Sequence, residues 1–268
     1  MKAETIYRVF ETDHPVGDGD VEVMLQGGVG RRFVARRVDG DLAGGAHAAQ
    51  EADGEVVLLV RAFPLAARET SVWKDAIRGW EEGGGLVVVA RAGDASVAWT
   101  RGLGLIAGNR EGVALALAEL VEFAVGEEVL CEIEAEVDRG WGELDCDAEL
   151  AYRVEGLDRA RDAELQKRAM ATMRRRLLFM RWEPLWLGTG LRCGERMPRL
   201  GEMLREEVDR EDRCVTLDGR LESAEYVYEL VGQRAGEFRH AREGYWVECV
   251  IVFLLAAELV MTLLEYFG

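Results

Sequence analysis

The spacing of apolar and polar positions changes character along the chain, from short runs punctuated by turns to long stretches with few breakers. Residues 21–25 and 32–38 are short candidate strands on either side of Gly27-Gly28-Val29-Gly30, and 55–60 is a contiguous apolar strand behind Asp53-Gly54. A helix over 71–82 has a serine start and a glycine stop at Gly83. Residues 85–100 read as two strands around Gly93-Asp94, a pair suited to a two-residue hairpin with glycine first. Asn109 can cap a helix to Phe123, in which Val113, Leu115, Ala116, Leu120 and Phe123 keep near-helical spacing. Residues 129–137 then alternate strictly, with Cys131, Ile133, Ala135 and Val137 on one face and Glu132, Glu134 and Glu136 on the other. That alternation predicts a strand with a solvated acidic face.

From residues 140–142 onward the pattern is helical. Residues 147–180 hold few breakers besides Gly156, and Pro184 sets the latest comfortable end of that helix. Further on, Leu217, Leu221, Ala224, Tyr228, Val231, Ala235 and Phe238 follow alternating spacings of 4 and 3, either the seam of a coiled coil made with residues 198–213 or between subunits, or the buried face of an ordinary amphipathic helix of one domain. The same phase runs on through Tyr245, Cys249, Val252, Ala256 and Leu259. The prediction is an α+β chain: a mixed-sheet domain with short helices over 1–140, long helices forming a coiled-coil-like hairpin over 141–244, and a hydrophobic tail helix over 245–268.

The tail carries the strongest functional signal. It has the roughly 20-residue length that crossing a bilayer requires, yet it holds Glu248, Glu258 and Glu265. A carboxylate at the bilayer centre costs roughly 2.5–3.5 kcal/mol on insertion scales. At about 100° per residue the three glutamates fall within one arc of roughly 100°, a polar face suited to protein or water. In the heptad phase above, Glu258 and Glu265 sit off the seam. Arg234, Arg239, His240 and Arg242 precede the apolar run and nothing basic follows it. By the positive-inside rule this keeps the bulk of the chain on the cytoplasmic or matrix side. Two settings fit such a helix: a membrane, or the interior of a soluble assembly.

Composition narrows the partners. A chain of 268 residues with 49 % hydrophobic content can bury a sizeable core. Its net charge of −17 argues against broad electrostatic binding to nucleic acid. The basic run over 166–182 has three readings: pairing with the chain's own acids, a site for anionic lipid, or a local RNA contact through Arg174, Arg175 and Arg176. Five cysteines, odd in number and without C-x-x-C, fit a reduced compartment better than a disulfide framework. The first twenty residues are acidic and lack an apolar core, so no signal or transit peptide is visible.

Nothing in the residues predicts enzyme chemistry. The histidines His14, His47 and His240 are far apart, and H-E-x-x-H, G-x-S-x-G and Walker loops are missing. Gly102-x-Gly104 with Gly108 precedes a helix but departs from the dinucleotide fingerprint. Carboxylates aligned on one strand, Glu132, Glu134 and Glu136 with Asp145 nearby, cannot close a coordination shell alone. The expectation is no catalytic residue, no cofactor and no metal.

The hairpin ending in Gly93, Val97 and Trp99, the acidic Glu127, Glu128, Glu132 and Glu134, and the helix over 220–242 leading into the glutamate-bracketed run from Glu248 to Glu258 occur in a telling order. Over about residues 56–267 that order resembles the required-for-meiotic-nuclear-division family, also called domain of unknown function 155. The resemblance implies a non-enzymatic protein with an α/β N-terminal part, long C-terminal helices, a membrane-associated tail and large homo-oligomers. It also implies a link to organellar translation, as in the mitochondrial members, or to meiotic division, as in fungal ones. The expected function is a membrane-tethered oligomeric scaffold whose partners are itself and an unidentified protein. The alternative is a soluble homo-oligomeric binding protein with its tail buried in the assembly.

Overall fold

The computed structural model describes residues 5–11, 21–24, 32–38, 56–64, 71–152, 159–189 and 197–267. Seven strands make one sheet: β1 (Thr5–Glu11), β2 (Val21–Met24), β3 (Arg32–Val38), β4 (Val56–Pro64), β5 (Val88–Ala92), β6 (Ala95–Thr100) and β7 (Leu103–Gly108), in the order β2-β3-β1-β4-β7-β6-β5. All neighbours are antiparallel except β4 and β7, whose parallel pairing makes the sheet mixed. Between those two strands the chain forms α1 (Ser71–Glu82) and the β5–β6 hairpin. Four helical stretches follow the sheet: α2 (Arg110–Ala148) continued by a 3-10 turn at Glu149–Tyr152, α3 (Arg159–Trp186), α4 (Pro198–Glu206) and α5 (Arg210–Phe267). The α+β class matches the sequence pattern.

Local chemistry explains where the elements start and turn. The hairpin turns at Gly93, whose φ of 53° is positive while that of Asp94 is not, the pattern of a type II′ turn. Asn109 caps α2: its Oδ1 accepts the Gly112 N–H at 2.7 Å. Gly104 lies inside β7, where a Cβ would come within 2.7 Å of Leu120 Cδ2. Of the glycines that superficially suggested a nucleotide turn, Gly104 and Gly108 thus let α2 approach the sheet closely, while Gly102, with a φ of 75°, serves the turn before β7. β1 and β7 have no counterpart in the sequence reading.

The largest correction concerns the predicted acidic strand. Residues 129–137 are the middle of α2, a single helix of 39 residues. Leu117, Leu120, Val121, Ala124, Leu130, Ile133, Val137 and Leu144 are buried at helical spacing. Glu119, Glu122, Glu127 and Asp147 are buried beside them, so the inward face is partly charged and hydrophobic periodicity understates it. The expected break at 140–142 also falls inside this helix, as the expected break at 244–245 falls inside α5. Helix α3 runs two residues past Pro184 and closes in a Schellman motif. There Gly188 has a φ of 67°, and its N–H donates to Leu185 O while the Thr189 N–H donates to Pro184 O at 3.0 Å. Gly156 lies outside the described residues.

Contacts divide the chain into two compact units, Met1–Ala135 with Leu177–Asp218, and Glu136–Arg176 with Gly219–Gly268. In the first, α1 covers one sheet face, packing Trp73 with Ala76, Ile77 and Trp80 against Phe63, Ala98, Leu105 and Ala107. The start of α2 covers the other face, where Trp99 meets Phe123 edge-on at 5.0 Å. The end of α3 packs there too: Trp182 and Trp186 stack at 6.2 Å, and the Trp186 indole donates to Gly126 O at 2.7 Å. The second unit is helical, with segments of α2, α3 and α5 around Leu150, Ala151, Leu165 and Val231.

Candidate membrane and assembly helix

Helix α5 carries most of the residues to which the sequence assigns a role. It begins after Asp209, whose φ of 48° turns the chain out of α4, in a conformation that aspartate tolerates better than most residues. Within the first unit, its opening turns are fixed to α2 by arginines. The buried Arg210 donates through Nη2 to Glu127 Oε2 at 2.8 Å and to Phe123 O at 3.1 Å, with its guanidinium 4.4 Å from the Phe123 ring centroid. Arg213 bridges Glu127 and Glu134, the latter at 2.6 Å, and reaches Cys131 Sγ at 3.4 Å. Burial raises the proton affinity of Glu127, but the Arg210 charge and the hydrogen bonds from Arg213 and Arg210 outweigh it and hold the carboxyl below its ordinary 4.5. The Arg213 guanidinium, hydrogen-bonded to Glu134, is held more firmly protonated than usual.

Within the second unit the same alternation of charges continues. Arg220 pairs with Asp138 at 2.6 Å and lies over the Trp141 ring. Asp147, only 2 % exposed, accepts from Arg168 Nη1 at 2.9 Å and from the Tyr228 hydroxyl at 3.4 Å. Burial, followed by the Asp147 charge, pushes the Tyr228 phenol up to about 12.

The residues of the expected oligomer seam lie mostly against the chain itself. Leu217, Leu221, Ala224 and Val231 are buried inside the chain itself, and Tyr228, Ala235 and Phe238 are half-buried. In the second unit Leu221, Ala224 and Tyr228 face Val137 and Leu144 of α2 and Thr172 of α3 across a small cavity, while Val231 joins Leu150 and Leu165. At Leu221, Ala224, Tyr228 and Val231 the heptad thus faces helical segments of the same chain.

The basic run behaves in the same way. Arg175 pairs with Glu136 at 2.8 Å and Arg176 with Glu225 at 3.9 Å, so of the triplet read as an RNA contact only Arg174 is exposed. The acids considered for a metal are dispersed around α2, with Glu134 and Glu136 engaged by arginines and Glu132 and Asp145 exposed. Among the described residues, no group of three or more His, Cys, Asp or Glu side chains could hold a metal ion.

The tail is different. From Gly244 to Thr262, α5 has 19 residues long and apolar enough to cross a membrane, and none is buried within the chain. At about 1.5 Å per residue this stretch measures roughly 28 Å, close to the hydrocarbon thickness of a bilayer. Glu248 and Glu258 are exposed, as is Phe253 at 71 %. Glu265 occupies the helix near its end. Of the basic flank, Arg234 pairs with Glu237 at 2.8 Å and His240 is exposed, while Arg239 and Arg242 are placed by the helix backbone.

Arg210 and Arg213 were missed as anchoring residues. Their signal lies in matching charge intervals: Glu127 and Glu134 are seven apart on one helix, as are Arg213 and Arg220 on another. Comparisons of the chain with protein-family models, with curated proteins and with solved structures gave no match.

Proposed function

We propose that this chain is a non-enzymatic, membrane-tethered scaffold that the α5 tail fixes to a bilayer. The observation that supports the reading is the 19-residue apolar stretch Gly244–Thr262, none of which is buried among the described residues. Such a surface is far larger than the apolar patches soluble monomers leave in water. The basic flank at Arg234, Arg239, His240 and Arg242 orients the bulk of the chain to the cytoplasmic or matrix side. There the sheet half of the chain would meet a protein partner, and tethering would act by raising local concentration. The family resemblance supplies organellar translation or division as the setting. Carbonate extraction tests the anchor. The full-length chain is expected to stay with membranes and a chain ending at Ala241 to wash off; a full-length chain that washes off ends the reading.

A second reading is favoured by Glu248 and Glu258 on the same apolar stretch: a soluble homo-oligomer whose tails bury one another. In that case the full-length chain would elute as a multimer after carbonate release, and the chain ending at Ala241 as a monomer.

A further inference from the structure

The tail has a seam of its own. Gly244, Glu248, Ile251, Leu255, Glu258 and Thr262 follow spacings of 4, 3, 4, 3 and 4, and so share one face of α5. Both glutamates of the stretch, its single glycine and its single threonine lie on that face; Glu265 continues the spacing. The seam is one residue out of phase with the one that packs within the chain through Leu221, Ala224 and Val231. At about 100° per residue it therefore points to roughly the opposite side of the helix from Leu221, Ala224 and Val231.

In water this face would need no partner. In hydrocarbon it needs one, because lipid tails offer a carboxyl group no hydrogen bond, and polar side chains in membranes turn toward other helices. The Thr262 hydroxyl is used within the helix, donating to Glu258 O at 2.9 Å. Unmet demand is thus concentrated on the side chains of Glu248 and Glu258. No other helix among the described residues is long and apolar enough to lie beside them in a bilayer. A second copy of the same tail can. Copies inserted with one orientation pack in parallel, which brings equal heptad positions together: Gly244 near Gly244 for close backbone approach, and Glu258 beside Glu258 and Thr262.

We infer that tail helices of separate copies pack in parallel in the bilayer through the Gly244, Glu248, Ile251, Leu255, Glu258, Thr262 face, so that the anchor is also the contact between subunits. The inference rests on the membrane reading of the tail. It is tested on the full-length chain carrying Cys249→Ser, expressed into membranes, with single cysteines introduced by Ile251→Cys, Val252→Cys, Phe253→Cys or Leu255→Cys. Disulfide formation requires Cβ atoms about 3.5–4.5 Å apart, so oxidation reports the facing positions. Ile251→Cys and Leu255→Cys are expected to give several-fold more linked dimer than Phe253→Cys, Val252→Cys or the Cys249→Ser parent. Adding Glu258→Leu to Leu255→Cys should lower its yield several-fold, whereas Glu258→Gln, which keeps a hydrogen-bonding head without the charge, should preserve it. Carbonate-resistant protein whose cross-links are uniform around the helix, or peak at Val252→Cys, overturns the seam and leaves the anchor standing. Protein that carbonate removes overturns both.

Discussion

The Arg210–Glu127 pair is the most consequential contact at the scale of single residues. Two charges with side chains only 3 % and 4 % exposed are stable together because each satisfies the other and Arg210 also reaches a backbone carbonyl. Removing Arg210 leaves the buried Glu127 with only the half-buried Arg213 to answer its charge. Arg210→Met is expected to lower unfolding free energy by about 3–5 kcal/mol in urea denaturation, and Arg210→Met with Glu127→Leu by clearly less than Arg210→Met alone. Equal losses in the two proteins would show that the pair is not the source of the stability. Acid gives an independent check. Because the folded-state affinity of Glu127 for a proton is depressed, its contribution is present above its ordinary 4.5 and is lost as pH falls through the lower folded value. Stability of the native chain should therefore fall more steeply below about pH 4.5 than that of Glu127→Gln, which has no proton to take up there. The thiols divide along similar lines. Burial pushes Cys214 up to about 11, while Cys146 is exposed, so iodoacetamide at pH 8 should label Cys146 and spare Cys214 in the folded protein. The charges themselves are legible in the sequence. Their partners are not, since Glu127 and Arg210 are 83 residues apart and only the helix packing brings them together.

At the scale of elements, the sequence reads best where one short-range interaction decides the outcome. The turn at Gly93, the cap at Asn109 and the full extent of α1 depend on neighbours a few residues away, and they appear where local chemistry puts them. Helix α2 reads worst because its inward face mixes leucines with Glu119, Glu122 and Glu127. Seven residues of alternation from Cys131 to Val137 then outweigh a helical period that only a longer window, and the helix preference of glutamate, would restore. The strand β7 was hidden for a related reason: its glycines look like loop residues until the approach of α2 is known. Gly104→Ala tests that explanation. A methyl group 2.7 Å from Leu120 Cδ2 in a packed interior should cost about 1–3 kcal/mol. Gly142→Ala, in open space on α2, should instead be neutral or stabilising by up to about 1 kcal/mol. Comparable thermal melts for the two variants would mean that β7 and α2 are not held this closely.

At the scale of the whole molecule, α5 joins two kinds of surface in one unbroken helix of 58 residues. Up to Val231 one face of it, through Leu217, Leu221, Ala224 and Val231, is buried, and from Gly244 to Thr262 no residue is buried. The heptad phase runs through both regions, so the pattern alone assigns them one purpose; burial separates them. If the tail contributes nothing to the fold, a chain ending at Ala241 keeps every buried contact in this division: the cluster around Leu150, Leu165 and Val231, and the Asp147–Tyr228 contact. Its far-ultraviolet circular dichroism should lose helix in proportion to the residues removed. Its melting temperature in dilute buffer should stay within about 2 °C of the full-length chain in detergent, since a 1 kcal/mol loss moves a protein of this size by about 2–4 °C. A drop of about 10 °C or more would mean that the apolar stretch supports the fold by packing against its own or another chain in water. That result would shift the balance from the anchored scaffold to the soluble assembly.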